Sequence, residues 1–236
     1  MRSVSLLGAC FIAQVGLAQV EGVLVERIPA HDGLTTYRVF IDLEKDHVLQ
    51  TIYGDPKHTL MLSTSTTFYN DSVHGVAFGE QMKSSTLREG LGWADSFLAF
   101  GFASDSHKAV PMHLDGDKNI LRSARQQAVR GERDGLMHAD RVPTTTNMSV
   151  ATGYVNGVKG SLIQTDNGGW GVLGGVKGST PENFVLVAQL TTDGTLDYAL
   201  NVQVRTPDGT VVRCTPDPTD NTEERYQPAL RGTVTP

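Results

Sequence analysis

Oxygen-bearing side chains occupy alternate positions in the segment Asp115-Gly-Asp117-Lys-Asn119. Carboxylate and amide oxygens at this spacing can surround a hard cation such as Ca²⁺, which an exported protein meets at high concentration. The segment does not complete the calcium-binding loop of an EF-hand. That loop has glycine at its sixth position and a bidentate glutamate at its twelfth, where this chain has Ile120 and Gln126. Two interpretations stay open: a calcium site formed by Asp115, Asp117 and Asn119, and a polar turn that caps a helix.

Two tryptophans are candidates for stacking against a ligand. Trp93 and Trp170 each lie in an apolar segment that is predicted to form a strand. An exposed indole offers a flat apolar face to a sugar ring, whereas a tryptophan within an apolar strand more often belongs to the core. Carbohydrate binding therefore requires both indoles to be exposed on one face.

Catalytic motifs are absent from the sequence. The seven histidines have neither the His-x-x-x-His nor the His-Glu-x-x-His spacing of a helical zinc site, and we expect most of them at the surface; they are His31, His47, His58, His74, His107, His113 and His138. There is no Gly-x-Ser-x-Gly motif. Cys214 ends a predicted strand without a neighbouring histidine, which favours a buried or edge thiol over a nucleophile.

The N-terminal segment resembles a secretory signal. Arg2 is followed by the apolar run Val4 to Leu17, and small residues precede Gln19. The run is shorter than the roughly 20 residues that cross a bilayer, so we expect cleavage after residue 18 and no transmembrane segment in the mature protein. Removing residues 1–18 would change the formal charge from −6 to −7, because only Arg2 is lost. This acidic balance argues against nucleic acid as a partner.

Short periodic segments separated by turn residues predict β-structure. Thr36 to Leu43 alternates apolar and polar residues, which predicts a half-buried strand with Arg38 and Asp42 on its polar side. Further strands are predicted over the segments 22–28, 48–53, 58–62 and 95–102. The segment 117–130 has helical spacing instead and predicts one short helix with a basic face.

The C-terminal third gives the strongest β-signals. Residues 160–165 and 170–173 flank a glycine-rich turn and predict a hairpin. Phe184 to Leu190 is almost continuously apolar, as in a strand buried on both faces. With the alternating segment 196–204 and the segment 210–214, it predicts a three-strand meander joined by Asp-Gly turns. Residues 215–236 are polar and proline-bearing, which predicts an irregular tail.

Several segments in order resemble a large group of poorly characterised secreted proteins, found mainly in marine and Bacteroidota-type bacteria. They are Tyr37 to Leu43, Ile52 to Asp55, Ser63 to Tyr69, Trp93 to Phe97, Asn167 to Leu173 and the Val-Leu-Val-Ala-Gln-Leu-Thr-Thr-Asp-Gly run over 185–194. The resemblance covers roughly residues 36–205. It implies export and a β-sandwich, and it supplies no catalytic residue. Residues 108–148 depart from the family pattern.

Together these features predict an all-β protein: a signal peptide over 1–18, one antiparallel β-sandwich domain over 19–214 and a tail over 215–236. Three functions stay open. The first is a secreted, non-enzymatic binding or structural module of the cell surface or extracellular space, with a glycan or a protein as its partner. The second is an extracellular hydrolase of polymers such as polysaccharide, which would need paired carboxylates. The third is a subunit of a sheath or filament that assembles through the first strand.

Overall fold

A computed structural model describes residues 19–89, 92–114, 135–148, 160–179, 181–219 and 223–236. The signal peptide, the Asp115–Asn119 segment and the helix expected over 117–130 lie outside these residues. The described strands are β1 (Val20–Pro29), β2 (Thr35–Leu43), β3 (Val48–Gly54), β4 (Leu60–Thr64), β5 (Phe97–Leu98), β6 (Phe102–Ser104), β7 (His107–Ala109), β8 (Leu136–His138), β9 (Thr146–Met148), β10 (Leu162–Thr165), β11 (Gly168–Val176), β12 (Phe184–Thr192), β13 (Leu196–Ala199), β14 (Val202–Arg205), β15 (Val211–Thr215), β16 (Glu224–Tyr226) and β17 (Arg231–Val234).

The strands form four sheets, and all but one of the pairings between them are antiparallel. The first sheet has the order β1-β2-β12-β5, the second β10-β4-β13-β17, the third β16-β15-β14-β3-β11-β9 and the fourth β6-β7-β8. Among the described strands, only β15 and β16 pair in parallel. A single α-helix, α1 (Ser84–Glu89), occurs in the described residues, and none of their helices is long and apolar enough to cross a membrane. The predicted all-β class is confirmed.

The main core lies between the first sheet and the second and third sheets. Tyr37, Val39 and Ile41 of β2 pack there with Val185 and Val187 of β12. Three chain segments, β3–β4, β10–β11 and β13–β14, each bend from one of these two sheets into the other. The second and third sheets therefore form one continuous wall opposite the first, which is the layered arrangement of a β-sandwich.

A second core covers the opposite face of the first sheet. Phe40 of β2 and Leu186 of β12 pack there against Met82, Leu87 and Leu136 from α1, the fourth sheet and the loops around them. Strands β2 and β12 are consequently buried on both faces. This confirms the prediction for Phe184 to Leu190. The half-buried prediction for Thr36 to Leu43 is wrong, because Arg38 lies beneath this outer layer with 1% of its surface exposed.

The predicted C-terminal pairings are wrong in part. β10 pairs with β4 and β11 pairs with β3 and β9, so no hairpin joins residues 160–165 to 170–173. The alternating segment 196–204 divides into β13 in the second sheet and β14 in the third, while β12 pairs with β2 and β5. Of the meander, only the β14–β15 hairpin around Pro207-Asp208-Gly209 is confirmed.

The irregular tail predicted for residues 215–236 is also wrong. β16 extends the third sheet beside β15, and β17 pairs with β13 at the edge of the second sheet. Leu230, just before β17, is fully buried in the main core. The Leu230 side chain is buried only because it packs against the sandwich, and the backbone hydrogen bonds of β16 and β17 are made to its strands. The C-terminal segment therefore belongs to the fold.

Candidate functional site

The two tryptophans have different environments. Trp170 is fully buried, and its indole Nε1 donates a hydrogen bond to the Ala99 carbonyl oxygen at 2.9 Å. Its strand β11 lies between β3 and β9, so its side chain enters the main core. The prediction of Trp170 as a stacking residue is therefore wrong, and so is the predicted carbohydrate site that required both indoles to be exposed on one face. Trp93 is half-buried, packed at its base against the second core.

Trp93 lies beside two other rings, and we call His31, Tyr69 and Trp93 the aromatic cluster. The His31 ring centroid is 5.0 Å from that of Tyr69 and 6.5 Å from that of Trp93, and both pairs are nearly perpendicular. The His31 side chain is 41% exposed, and Tyr69 is half-buried. Two aromatic rings thus lie next to a solvent-exposed imidazole. Sequence patterns did not identify Tyr69 or His31, because nothing local shows that their loops meet.

The antiparallel order of the first sheet brings these loops together. β1 ends and β2 begins at one end of the sheet, where a 3-10 turn over His31–Gly33 joins them. β12 also ends there, since Thr192 pairs with Thr35. β5 begins there after the 3-10 turn Gly92–Ala94. Tyr69 is fixed to the same end by hydrogen bonds from its amide to the Thr191 carbonyl and from the Ser96 amide to its carbonyl.

A chain of buried hydrogen bonds holds the Trp93 turn in place. The Gln189 side chain on β12 donates from Nε2 to the carbonyl oxygens of Trp93 and Asp95, both at 2.9 Å. Its Oε1 accepts a hydrogen bond from Arg38 Nε, also at 2.9 Å. Arg38 faces Glu26 across the β1–β2 pair. Burial lowers the pKa of Arg38 to about 10, and the Glu26 charge opposes that shift, so the guanidinium remains charged at neutral pH.

Asp95 organises the adjoining loop. Its carboxylate is fully buried and accepts backbone hydrogen bonds from the amides of Asp71 and Val76, each at 2.8 Å. Burial raises the pKa of Asp95 to about 6, against the effect of these hydrogen bonds, and the neighbouring Asp71 charge raises it further. One side chain therefore fixes the start and the end of the loop 71–76, and this places Asp71 beside Tyr69.

Asp71 supplies a negative charge at this site: its side chain is 12% exposed, and its Oδ1 lies 3.6 Å from His74 Nδ1. Desolvation acts to raise its pKa, but hydrogen bonds from the amides of His74 and Val73 outweigh that effect and hold the pKa below its ordinary value. Burial raises the pKa of Tyr69, and the charges of Asp71, Asp95 and Asp32 raise it further. At neutral pH the site therefore combines a neutral phenol with an ionised carboxylate.

The chemistry of this arrangement suits ligand binding. The ring faces offer apolar contact, and the Asp71 carboxylate can accept hydrogen bonds from hydroxyl groups. Among the described residues no group of three or more His, Cys, Asp or Glu side chains could hold a metal ion. Asp115, Asp117 and Asn119, the predicted calcium ligands, lie outside the part of the chain that the structure describes, so calcium binding stays a prediction.

The histidines are less exposed than the sequence suggested. His47, His58 and His107 are buried, which corrects the expectation of surface positions for these three. His58 lies between two carboxylates: its Nδ1 is 3.1 Å from Asp55 Oδ1, and its Nε2 is 3.4 Å from Glu224 Oε2. Because the His58 and Glu224 side chains are almost fully enclosed, this cluster fixes β16 to the β3–β4 turn and offers no access to a substrate.

Cys214 lies within the main core, as the sequence predicted. Its side chain is fully buried, and burial raises the pKa of the thiol to about 12, with Arg225 opposing the shift. The thiol is therefore protonated at neutral pH and is not a nucleophile.

Comparisons of this chain with models of protein families, with curated proteins and with solved structures find no match. The geometry of the aromatic cluster and its carboxylates is therefore the basis for assigning a function.

Proposed function

We propose that this protein is an exported, non-enzymatic binding module whose aromatic cluster recognises neutral saccharides. The observation that carries the proposal is the His31–Tyr69–Trp93 grouping beside the Asp71 carboxylate. A sugar ring presents C–H groups on its face and hydroxyl groups at its rim. Aromatic faces take up the first, and carboxylate oxygens accept hydrogen bonds from the second.

The charge at the site favours neutral over acidic saccharides. Asp71 and Asp32 lie close enough to Tyr69 to raise its pKa through their negative charges. A uronate or sulfate group on a ligand would meet the same field and be repelled. The whole chain also carries a formal charge of −6, which adds to this preference.

The rigidity of the site supports binding without large rearrangement. Gln189 and Asp95 are both buried and fix the Trp93 turn and the 71–76 loop through hydrogen bonds to backbone groups. Binding to rings that are already ordered costs less conformational entropy than binding that must first order them. Export follows from the expected signal peptide over residues 1–18, and it would bring the site into contact with extracellular polysaccharide.

A glycan array tests this proposal with purified wild-type protein and the variants Trp93→Ala, Tyr69→Ala and Tyr226→Ala. We expect binding to neutral glycans, and a loss of about 2 kcal/mol, or roughly 30-fold in affinity, for the first two variants. Tyr226 is the matched control, because it is 64% exposed on β16 and lies outside the cluster. Its replacement should leave affinity unchanged.

Two results would contradict the proposal. Saccharide binding that survives both Trp93→Ala and Tyr69→Ala would place recognition elsewhere on the surface. Release of soluble oligosaccharides from a bound polymer would show that the protein is a hydrolase instead of a binding module.

A further inference from the structure

A concave feature lies at the opposite end of the first sheet from the aromatic cluster. It is a cavity of about 380 Å³ between the turn that joins β2 to β3 and the loop that joins β11 to β12. At about 30 Å³ for each water-sized group, it has room for roughly a dozen non-hydrogen atoms. Its charged walls are Lys45 and Asp46 on the first segment and Lys177 and Glu182 on the second.

The walls of this cavity are tied to each other. Asn183 is buried and donates from Nδ2 to the carbonyl oxygens of Glu44 and His47, both at 2.9 Å. Its Oδ1 accepts a hydrogen bond from the Gly178 amide at 2.7 Å. On the other side of Gly178, Lys108 Nζ donates to its carbonyl oxygen at 2.8 Å. One asparagine therefore joins the two segments, so the cavity keeps its shape without a ligand.

Each side of the cavity carries one basic and one acidic side chain. Lys177 Nζ and Asp46 Oδ1 are 3.3 Å apart and compensate each other. Within the described residues no ion pair is found for Lys45 or for Glu182, and both side chains are exposed. The cavity thus presents one uncompensated ammonium group and one uncompensated carboxylate.

The side of Glu182 lies in a negative field. Asp42 pairs with the first residue of β12 in the sheet, and burial raises its pKa to about 6, with further increases from the charges of Glu21 and Glu182. His113 opposes the shift only in part. A cationic group placed beside Glu182 would relieve this repulsion.

We propose that the cavity binds a small zwitterion of amino-acid size, with the ligand carboxylate toward Lys45 and its ammonium group toward Glu182. The presence of both charges in one cavity favours a molecule that carries both, since a simple anion would meet Glu182 and a simple cation would meet Lys45. Pro181 lines the same cavity and offers apolar contact to a short side chain.

The test is a calorimetric titration of the protein with glycine, L-alanine, L-lysine and L-glutamate, and with acetate and methylammonium as single-charge probes. We expect at least one amino acid to bind with a Kd near or below ~1 mM, and both single-charge probes to bind at least about tenfold more weakly. Lys45→Ala and Glu182→Gln should each weaken amino-acid binding about tenfold, which is a typical loss for one charged contact.

Controls separate this site from general charge effects. Lys57→Ala and Glu223→Gln remove the same charges from exposed positions outside the cavity and should leave the titrations unchanged. Because Lys45 and Glu182 are exposed, neither variant should lower the melting temperature. Absence of amino-acid binding would overturn the proposal. So would acetate or methylammonium binding as tightly as the amino acids, or amino-acid binding that neither cavity variant weakens.

Discussion

At the scale of single residues, burial decides the behaviour of the polar groups more than residue type does. Arg38 has the alternating sequence environment of an outward-facing side chain, yet it is almost fully enclosed. The cause is the second core, which covers the outer face of β2 with residues from α1 and the fourth sheet. A local period of two shows that neighbouring side chains point to opposite faces, but it does not show whether both faces are covered.

The charge of Asp42 predicts a pH dependence of stability. Its pKa is raised to about 6 in the folded protein, first by burial and then by Glu21 and Glu182. Between about pH 4 and pH 6 the folded state therefore binds more protons than the unfolded state, and stability is lost as the pH rises through this range. The Asp42→Asn variant cannot ionise, so it avoids this loss.

We expect Asp42→Asn to raise the free energy of unfolding by about 1 kcal/mol at about pH 7.5, a value reduced for solvent screening, and by much less at about pH 4. Urea unfolding at the two pH values measures the difference. Asp166→Asn, at an exposed position in the turn between β10 and β11, is the control and should change little at either pH. An equal increase in the free energy of unfolding at both pH values would show that ionisation of Asp42 is not the cause.

At the scale of elements, the sequence placed most strands correctly but not their partners. The segment 196–204 alternates without interruption, and it nevertheless divides where the chain passes from the second sheet to the third. Asn201 lies at this bend, where its side chain donates hydrogen bonds to the carbonyl oxygens of Tyr53 and His58. Those partners are distant in sequence, so a local pattern cannot reveal them. The aromatic cluster was missed for the same reason.

Gln189 on β12 is expected to position the Trp93 turn. The variant Gln189→Leu would leave Arg38 Nε and the carbonyl oxygens of Trp93 and Asp95 without this hydrogen-bond partner, at a cost of about 2–4 kcal/mol in the free energy of unfolding. Gln203→Leu on β14 is the matched control, because Gln203 is only partly buried, and it should cost less than about 1 kcal/mol. If chemical denaturation gave the same loss of stability for both variants, Gln189 would not be what holds the Trp93 turn.

Two adjacent glutamates at the start of β16 allow a direct comparison: Glu224 is its first residue and Glu223 precedes it. Glu224 is buried beside His58 and accepts a hydrogen bond from the Thr219 amide at 2.7 Å, whereas Glu223 is exposed. We expect Glu224→Gln to lower the free energy of unfolding by about 1–3 kcal/mol and Glu223→Gln to change it by less than about 0.5 kcal/mol. Thermal unfolding measures the loss of stability, and the rate of trypsin cleavage after Arg225 measures how often the C-terminal segment detaches. Indistinguishable variants would mean that the buried cluster does not hold the C-terminal segment.

At the scale of the whole molecule, the fold is a β-sandwich with one face covered by an additional layer. The aromatic cluster lies at one end of the first sheet and the charged cavity at the other. The cluster is formed by loops next to β1, β2 and β5, and the cavity by loops next to β2 and β12. Strand pairing within the first sheet fixes the ends of these strands. Such a scaffold positions loops rigidly, which is why binding residues commonly lie at the ends of sheets.

Protection of Trp93 from iodide quenching would show whether a bound saccharide covers this indole. Trp170 is fully buried, so the quenchable part of the tryptophan fluorescence should come from Trp93, and Trp93→Phe should abolish it. A saturating neutral saccharide identified on the array should shield this fluorescence from iodide in the wild-type protein. If the saccharide binds while Trp93 stays as quenchable as in the free protein, recognition does not involve the aromatic cluster, and the account is contradicted.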